Sequence, residues 1–572
     1  MAAERWMIQT KRADFDEIAR DHHISPVTAR IIRNRDVVGG EAVERYLRGG
    51  LRELYSPYLL KDMELTVTIL KDKVRESKPV RIVGDYDIDG VCSTYLLYRA
   101  LTQVGAVVDY EIPDRIKDGY GINESIIRAA AEDGIDTILT CDNGIAAVQQ
   151  IGLAKELGLT VLVTDHHDIM KEEDRDILPP ADAVVNPKRS DCTYPYPEIC
   201  GGLVAYKLVQ ALYEAFGVPM EKWLEMLEFA AIATVGDVMK LQNENRIIVR
   251  EGLKRMGQTR SLGLLKLMEK NNLDKNQITA YQIGFVIGPC LNAGGRLQTA
   301  KLALSLLLCQ NEEEADGLAL ELKELNDQRK DMTKEGTSEA VKQVEEFYND
   351  DKVLVVYLPE CHESLAGIIA GRLREHFQKP SFVLTDGEES VKGSGRSIES
   401  YHMFEALVEV KELLLKFGGH PMAAGLSLSK ENVEEFRRRL NERAELTEED
   451  FVKKVWIDVP MPLEYINEPF IDELELLEPF GQGNEKPLFA QKGLHIRSVR
   501  VLGKNRNAVK MSLATEQGTP MDGMLFGNGD LFLEELGNKR RLDVVYYPGV
   551  NEYNGNKTLQ IIIRNYKIPE EV

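Results

Sequence analysis

The residues best able to do chemistry are acidic. Asp85, Asp87 and Asp89 alternate in Asp85-Tyr-Asp-Ile-Asp-Gly90, and Asp142-Asn-Gly144, Asp165-His166-His167 and Asp237 follow along the chain. In an extended stretch alternate side chains share a face, so three aspartates at spacing two can converge. Gly90 permits the turn that follows. Gathering this many carboxylates opposes their ionisation unless cations join them. Carboxylate oxygens with an imidazole suit Mg²⁺ or Mn²⁺, and the imidazole tilts the choice towards Mn²⁺. The donor set is large enough for two metals sharing one aspartate, an arrangement suited to phosphoester hydrolysis. Taken alone, an Asp-x-Asp-x-Asp run is more often a solvated loop or a calcium site. The chain carries its own control for the other motif, since Asp21-His22-His23 is also Asp-His-His. No strand precedes it and Pro26 interrupts the helical segment around it, so it reads as a surface decoy.

The elements that must position these groups are short β-branched runs. Val80–Gly84 runs into Asp85, Asp136–Thr140 into Asp142, Thr160–Thr164 into Asp165, and Ala183–Val185 into Asn186. Alternation of such runs with helical stretches predicts βαβ units and a parallel sheet. Ligands bind beyond the carboxyl ends of strands in such a sheet, where these clusters fall. Asp237 instead ends an apolar helical run. The fold class is therefore multidomain α/β. Residues 1–75 form a helical segment interrupted at Pro26, and 76–255 the parallel-sheet domain. Residues 256–347 are helical, with one long connecting helix over 312–347. A second α/β unit spans 348–450, and a strand-rich closed or sandwiched unit spans 455–567. There is no internal repeat or low-complexity tract.

The length of 572 residues is consistent with roughly three to five domains. With 71 basic and 93 acidic side chains the formal charge is −22. That is a poor starting point for nucleic-acid binding, although a basic channel can sit inside an acidic protein. The longest apolar stretches, such as Leu302–Cys309, fall well short of the ~18 residues of a membrane span. The first residues lack the apolar core of a signal peptide. Seven scattered cysteines without a Cys-x-x-Cys pair argue against a disulfide framework or cysteine-bound zinc, and for a reducing cytoplasm.

Two glycine-rich motifs lie in the second α/β unit, Lys392-Gly-Ser394-Gly395-Arg396-Ser397 and Phe417-Gly418-Gly419-His420-Pro421. Glycine exposes backbone N–H groups that can cradle phosphate, and Arg396 adds forked, charge-assisted donors. Plain turns are the competing reading. Gly367-Ile-Ile-Ala-Gly371-Arg372 is either part of the same surface or a helix-packing face, and Gly371 reads as packing.

The four acidic clusters, in the forms Val83-Gly-Asp-Tyr-Asp-Ile-Asp-Gly90, Thr140-Cys-Asp-Asn-Gly144, Val163-Thr-Asp-His-His167 and Val235-Gly-Asp237, resemble the motifs of the DHH phosphoesterase superfamily. Within it the chain resembles the RecJ-type single-strand-specific DNA exonucleases, over about residues 25–567. The resemblance implies that Asp85, Asp87, Asp89, Asp142, His166 and Asp237 hold two divalent ions, with Asp87 and Asp89 favoured among the first three. His167 would face the scissile phosphate or assist the nucleophile, and Asp165 would orient a histidine. Arg296, in Asn292-Ala-Gly-Gly-Arg296, would bind phosphate. A DHHA1-type substrate-binding domain would place Arg372, Ser394, Gly395, Arg396, Gly418, Gly419 and His420 on the nucleotide.

Pro479–Glu485 is similar to the segment that introduces the family's OB-fold-like barrel, where Tyr546, Tyr547, Tyr553 and Lys557 could stack bases or touch the backbone, with core or turn roles equally open for each. The chain departs from the family pattern at Cys290, where arginine is common, and at Cys361–Ala366. The implied activity is metal-dependent 5′→3′ degradation of single-stranded DNA to 5′-mononucleotides in repair and recombination. Domains ringed by the long helix would admit one strand only. Implied partners are a single-strand-binding protein and a helicase, with no membrane. The alternatives are a DHH enzyme acting on oligoribonucleotides, cyclic dinucleotides or pyrophosphate, and a non-catalytic replication scaffold. The intact acidic motifs argue against the scaffold.

Overall fold

The computed structural model describes residues 4–553 and 555–569. Five parallel strands build the first sheet, in the spatial order Val108–Glu111, Val80–Val83, Thr137–Cys141, Thr160–Thr164, Ala183–Val185. Their residues are nearly continuous Val, Ile and Leu because helices cover both faces of a parallel sheet. Ile82, Val83, Ile138, Leu139, Val161 and Val163 are fully buried. From Val80–Val83 the chain steps outward to Val108–Glu111 and then returns to the other side, at Thr137–Cys141. The order therefore reverses between Val80–Val83 and Thr137–Cys141, and a cleft opens at their carboxyl ends.

Helices Ile88–Gln103 and Gly201–Phe216 pack on this sheet, and Leu227–Gly236 packs on those two helices. The same core continues through Leu264, Leu291 and Leu304 to Leu322, so the helices after residue 256 extend the first domain's interior. Helix Glu312–Gln343 is 32 residues long and is capped by the Asn311 side chain, with Glu312, Glu313 and Glu314 at its positive end. It leads to the second five-stranded sheet, ordered Leu414–His420, Ala423–Leu428, Val391–Arg396, Ser381–Asp386, Leu354–Tyr357.

The C-terminal unit is a closed barrel. Strand Phe489–Leu502 pairs with Ala508–Ala514 on one side and with Arg541–Tyr553 on the other. Register shifts at Gln491/Leu494 and Ile496/Ser498 accompany this double pairing.

The first 75 residues correct the expectation of one helical segment. Strand Glu4–Ile8 pairs in parallel with Lys453–Ile457. Helices Phe15–His22, Pro26–Asn34 and Gly40–Arg48 share the barrel's core through Ile31, Ile32 and Leu47. Arg35 reaches Asp458 with two hydrogen bonds, at 2.6 and 3.1 Å, in a buried pair. Helix Met63–Arg75 instead joins the first domain's core. Helices of eight or nine residues cannot be stable alone, so they bury their apolar faces on larger units. Among the described residues no helix is long and apolar enough to cross a membrane.

Candidate metal centre

The carboxylates meet in the cleft where the strand order reverses. The Asp87 side chain caps helix Ile88–Gln103, accepting from the Asp89 and Gly90 amides at 3.0 and 3.1 Å. Both oxygens of Asp89 accept backbone hydrogen bonds of 2.7 Å, from Gly201 and Gly202 at the start of helix Gly201–Phe216. That helix comes so close that a Cβ on Gly201 would stand 2.6 Å from the Asp142 side chain. Asp142 takes a left-handed backbone, φ 61°, directly after its strand. Asn143 ties the turn down by donating to the Val83 and Cys141 carbonyls at 3.0 and 2.9 Å.

His166 Nε2 lies 3.1 Å from Asp142, 3.6 Å from Asp89 and 3.7 Å from Asp237. Three sets of potential ligand atoms each fall within 4.8 Å: Asp85 with Asp87 and Asp142, Asp89 with His166 and Asp237, and Asp142 with His166 and His167. Asp142 belongs to both the first set and the third, so it could be shared between two cations.

The electrostatics match that donor set. Burial and then the Asp87 charge push Asp85 up to about 8 and Asp89 up to about 6. Burial and then Asp89 lift Asp237 to about 7 and hold Asp142 well above the carboxylate range. Asp85 Oδ1, Asp142 Oδ1 and His166 Nδ1 are buried without hydrogen-bond partners. Buried polar atoms are normally paired, so orphans converging on one cleft fit a centre built for divalent cations.

Asp165 has a different job. Its Oδ1 accepts from the His166 and His167 amides at 2.7 and 3.1 Å and lies 2.7 Å from His167 Nδ1, while Oδ2 accepts from Ile145 at 2.9 Å. Burial alone would raise its pKa, but the His167 hydrogen bond and charge outweigh it and hold it low. For His167, burial acts downward and Asp165 overcomes it, lifting the imidazole to about 9. The Tyr120 hydroxyl donates to the Asp142 carbonyl at 2.9 Å and lies 3.2 Å from His167 Nε2.

Beside Asp87 the cleft turns basic. Arg296 is pushed down to about 10, first by burial and then by the nearby guanidiniums of Arg115 and Arg329, with Arg396 also contributing. It crosses to the second α/β domain and donates to the Ser364 carbonyl at 2.8 Å. Arg396 donates to Ser394 Oγ at 3.2 Å and to the Gly395 carbonyl at 2.7 Å. Arg115 lies over the Tyr86 ring at 3.9 Å, and the Arg372 charge acts on Arg329. Several guanidiniums gathered beside one cleft are suited to binding a polyanion.

Three family models match in order along the chain: "DHH family, N-terminal domain" over residues 79–234, "DHHA1 domain" over 350–446 and "RecJ OB domain" over 457–565. The single-stranded-DNA-specific exonuclease RecJ of Bacillus subtilis is 37% identical over 99% of this chain and 71% of its own length. That of Escherichia coli is 34% identical over 98% of this chain and 99% of its own. The chain belongs to the RecJ family. The structure of Thermus thermophilus RecJ in complex with Mn²⁺ superposes with a TM-score of 0.84 at 28% identity, covering 100% of this chain and 80% of that one.

Against the RecJ-type expectations, the structure brings Asp85, Asp87, Asp89, Asp142, His166 and Asp237 into one cleft, with His167 beside them. It also draws Arg296 and Arg396 to a second part of that cleft. The glycine motifs sit differently from the expected cradles. Val391–Arg396 is a central strand paired on both sides, so the Ser394 and Gly395 amides belong to the ladders. What faces out is the Ser394 hydroxyl and Arg396, and Gly367 makes room for both, since a Cβ there would stand 2.8 Å from each. Gly418, Gly419 and His420 lie exposed on the edge strand, and Arg372 is exposed on helix Glu363–Phe377.

Of the two readings open for Tyr546 the structure selects the core role, since it is fully buried and donates to the Met461 carbonyl at 2.8 Å. Tyr547 is half-buried under Lys486, whose Nζ is 3.7 Å from the ring centre. Lys557 is exposed, and the Tyr553 side chain lies outside the described residues. Cys290 is buried and accepts from Asn326 at 3.3 Å. His22 corrects the surface-decoy reading in part. It is remote from the cleft but buried, with Nδ1 3.2 Å from Glu44 and its carbonyl accepting from Arg48 at 2.8 Å.

Arg115, Arg329, Tyr120, Gly201 and Gly202 were missed. The paired glycines before an apolar helix were the one available signal among them, because close approach to a ligand set requires them.

Proposed function

We propose that this chain is a metal-dependent exonuclease that removes 5′-mononucleotides from the 5′ end of single-stranded DNA. The observation that carries the reading is the junction in one cleft of an orphaned carboxylate–imidazole centre and a cluster of arginines. Asp85, Asp87 and Asp142 would hold one divalent ion, Mn²⁺ or Mg²⁺, and Asp89, Asp142, His166 and Asp237 the other. Bound there, the ions supply an activated water and neutralise charge on the scissile phosphate. Arg296 and Arg396, with Ser394, hold the terminal phosphate and fix which linkage lies over the carboxylates. Asp165 locks His167 in place and keeps it protonated, so its imidazolium faces the phosphate as a fixed cation. Water oxygen bonds to phosphorus, the P–O3′ bond breaks, and the departing 3′ oxygen takes a proton. The products are a mononucleotide and a strand with a new 5′-phosphate.

The domain limits read from the sequence, at 76, 256, 348 and 455, serve this scheme as one catalytic half, a helical extension, a substrate half and a strand-binding barrel. The RecJ likeness supports work in repair and recombination alongside a single-strand-binding protein and a helicase. Seven free cysteines are consistent with the cytoplasm. The test is hydrolysis of single strands against duplexes and dinucleotides. Preference for dinucleotides would move the chain to the other DHH activities.

A further inference from the structure

Helix Leu227–Gly236, which ends at Asp237, closes on a residue unsuited to its place. The Met239 amide donates to the Thr234 carbonyl and the Val238 amide to the Val235 carbonyl, both at 3.1 Å, the paired bonds of a Schellman turn. Val238 is the left-handed residue of that turn, at φ 56°. Glycine or asparagine normally fills the position, because a β-branched side chain there is crowded by the backbone. Val238 is 66% exposed, so packing of its own side chain does not hold it. The turn also lies against the cleft, since a Cβ on Gly236 would stand 2.5 Å from Ile88, between Asp87 and Asp89. Such strain persists only where the surroundings over-determine it.

The surroundings come from the barrel. The Leu241 amide donates to the Gln482 carbonyl at 2.8 Å. Gln242 Nε2 donates to the Gly483 and Arg35 carbonyls at 3.0 and 2.9 Å. Leu241 is buried against Gly481, where a Cβ would stand 2.6 Å from its Cδ1, and a Cβ on Gly483 would stand 3.2 Å from Lys240. Within its own domain the loop's Lys240 carbonyl accepts from Asn245 at 3.1 Å. Residues 481–484 are themselves firmly held. Gly481 and Asn484 exchange amide hydrogen bonds of 3.0 and 3.1 Å, and the Asn484 side chain donates to the Leu477 and Pro479 carbonyls at 2.8 Å. Residues 479–485 therefore face two ways, into the barrel's core through Phe480 and onto the Asp237 loop through Gly481, Gln482 and Gly483.

We infer that residues 481–484 are a positioning element for Asp237: they hold its loop in the left-handed turn and so set the affinity of the cation position that Asp237 completes. The inference rests on the proposed metal-nuclease reading and gives the barrel a part in it other than contact with the strand. Asp237 is the ligand that no strand places. Asp142 directly follows a strand of the first sheet, whereas Asp237 caps a helix whose last turn its own sequence disfavours. Released from the barrel, Val238 would relax towards the right-handed region, and the carboxylate of the residue before it would turn away from Asp89 and His166. Groups that orient a metal ligand typically contribute about 10–100-fold to metal affinity.

The experiment uses the full chain. Gly481→Val sets a side chain against buried Leu241 and opens the contact, and Gln242→Ala removes the bonds to Gly483 and Arg35. Gly481→Val/Val238→Gly is the rescue, since glycine takes the left-handed turn without outside support. Melts check folding. The metal-free proteins are compared by hydrogen exchange, and each is then titrated with Mn²⁺ by calorimetry. In Gly481→Val the amides of Val238, Met239 and Leu241 should exchange roughly tenfold faster or more, with strand Thr137–Cys141 still protected. One Mn²⁺ site should weaken roughly tenfold or more and the other keep its affinity. Val238→Gly should restore most of that loss. On a single strand kcat should fall at low Mn²⁺ and recover at high Mn²⁺, with KM for the strand unchanged. Should Gly481→Val not fold, Gln242→Ala with and without Val238→Gly carries the same test. Wild-type Mn²⁺ affinity in the folded variant, with only KM raised, would overturn the inference and leave the turn to the strand alone. Weakened Mn²⁺ binding that Val238→Gly does not restore would overturn it as well, since general damage would be the cause. A wild type that binds Mn²⁺ but hydrolyses no strand would instead overturn the nuclease reading, while exchange and titration still decide this one.

Discussion

His166 Nε2 stands 3.1 Å from Asp142 Oδ1, and that oxygen accepts no hydrogen bond. The two atoms are close because both aim at the same point, where a cation would satisfy each. Asp142→Asn should therefore abolish hydrolysis without harming the fold, since a neutral amide replaces a carboxylate that burial already keeps protonated. Mn²⁺ should raise the melting temperature of the wild type but not of the variant. A variant still stabilised by Mn²⁺ would remove Asp142 from the shared position.

Metal binding should release protons in a pH-dependent way. The carboxyls of Asp89, Asp237 and Asp85 are raised to about 6, 7 and 8. In the metal-free protein a raised carboxyl contributes stability fully below about pH 4, and that contribution is lost as pH rises through its folded value. Cations need the ionised forms, so Mn²⁺ affinity should rise between about pH 6 and pH 8. Calorimetry in buffers of different ionisation heat should show more protons released at pH 6 than at pH 9. Equal release at both would contradict the assignment.

Arg396→Gln should raise KM for single strands about tenfold or more and flatten its salt dependence, because a phosphate contact is lost. Mn²⁺ stabilisation should be unchanged. Arg329→Gln should do the same more weakly, as its guanidinium acts beside Arg296 and Arg372. A fall in kcat at unchanged KM would place these arginines on the reacting phosphate itself.

The two Asp-His-His triplets should separate by what they damage. His166→Ala should lose activity severely at nearly unchanged stability. His22→Ala should keep kcat/KM but lose about 1–2 kcal/mol of stability, since a buried ring paired with Glu44 is removed. Melts and single-substrate kinetics on both variants decide it.

The candidate metal centre was legible because its clusters each follow an apolar run in sequence, so local pattern and chain order place them together. Asp85, Asp142 and Asp165 need only a parallel sheet to meet. Arg329 was illegible because one arginine on a charged 32-residue helix looks like every other solvated charge there. Arg115 sits in an irregular turn, where periodicity says nothing. Lys392–Ser397 looked like a loop because glycine usually marks one. In the fold Gly393 and Gly395 are small because Leu384, Leu426, Phe382 and Met403 crowd a central strand. The pairing of Glu4–Ile8 with Lys453–Ile457 joins residues nearly the whole chain apart, and no local signal carries that.

The most direct test of the account is a time course on one single strand labelled at either end, with Mn²⁺, Mg²⁺ or chelator. The account predicts that the 5′ label appears at once as a mononucleotide, that the 3′-labelled strand shortens from its other end, and that chelator stops both. Early release of the 3′ label as a mononucleotide, or hydrolysis that persists in chelator, would contradict it.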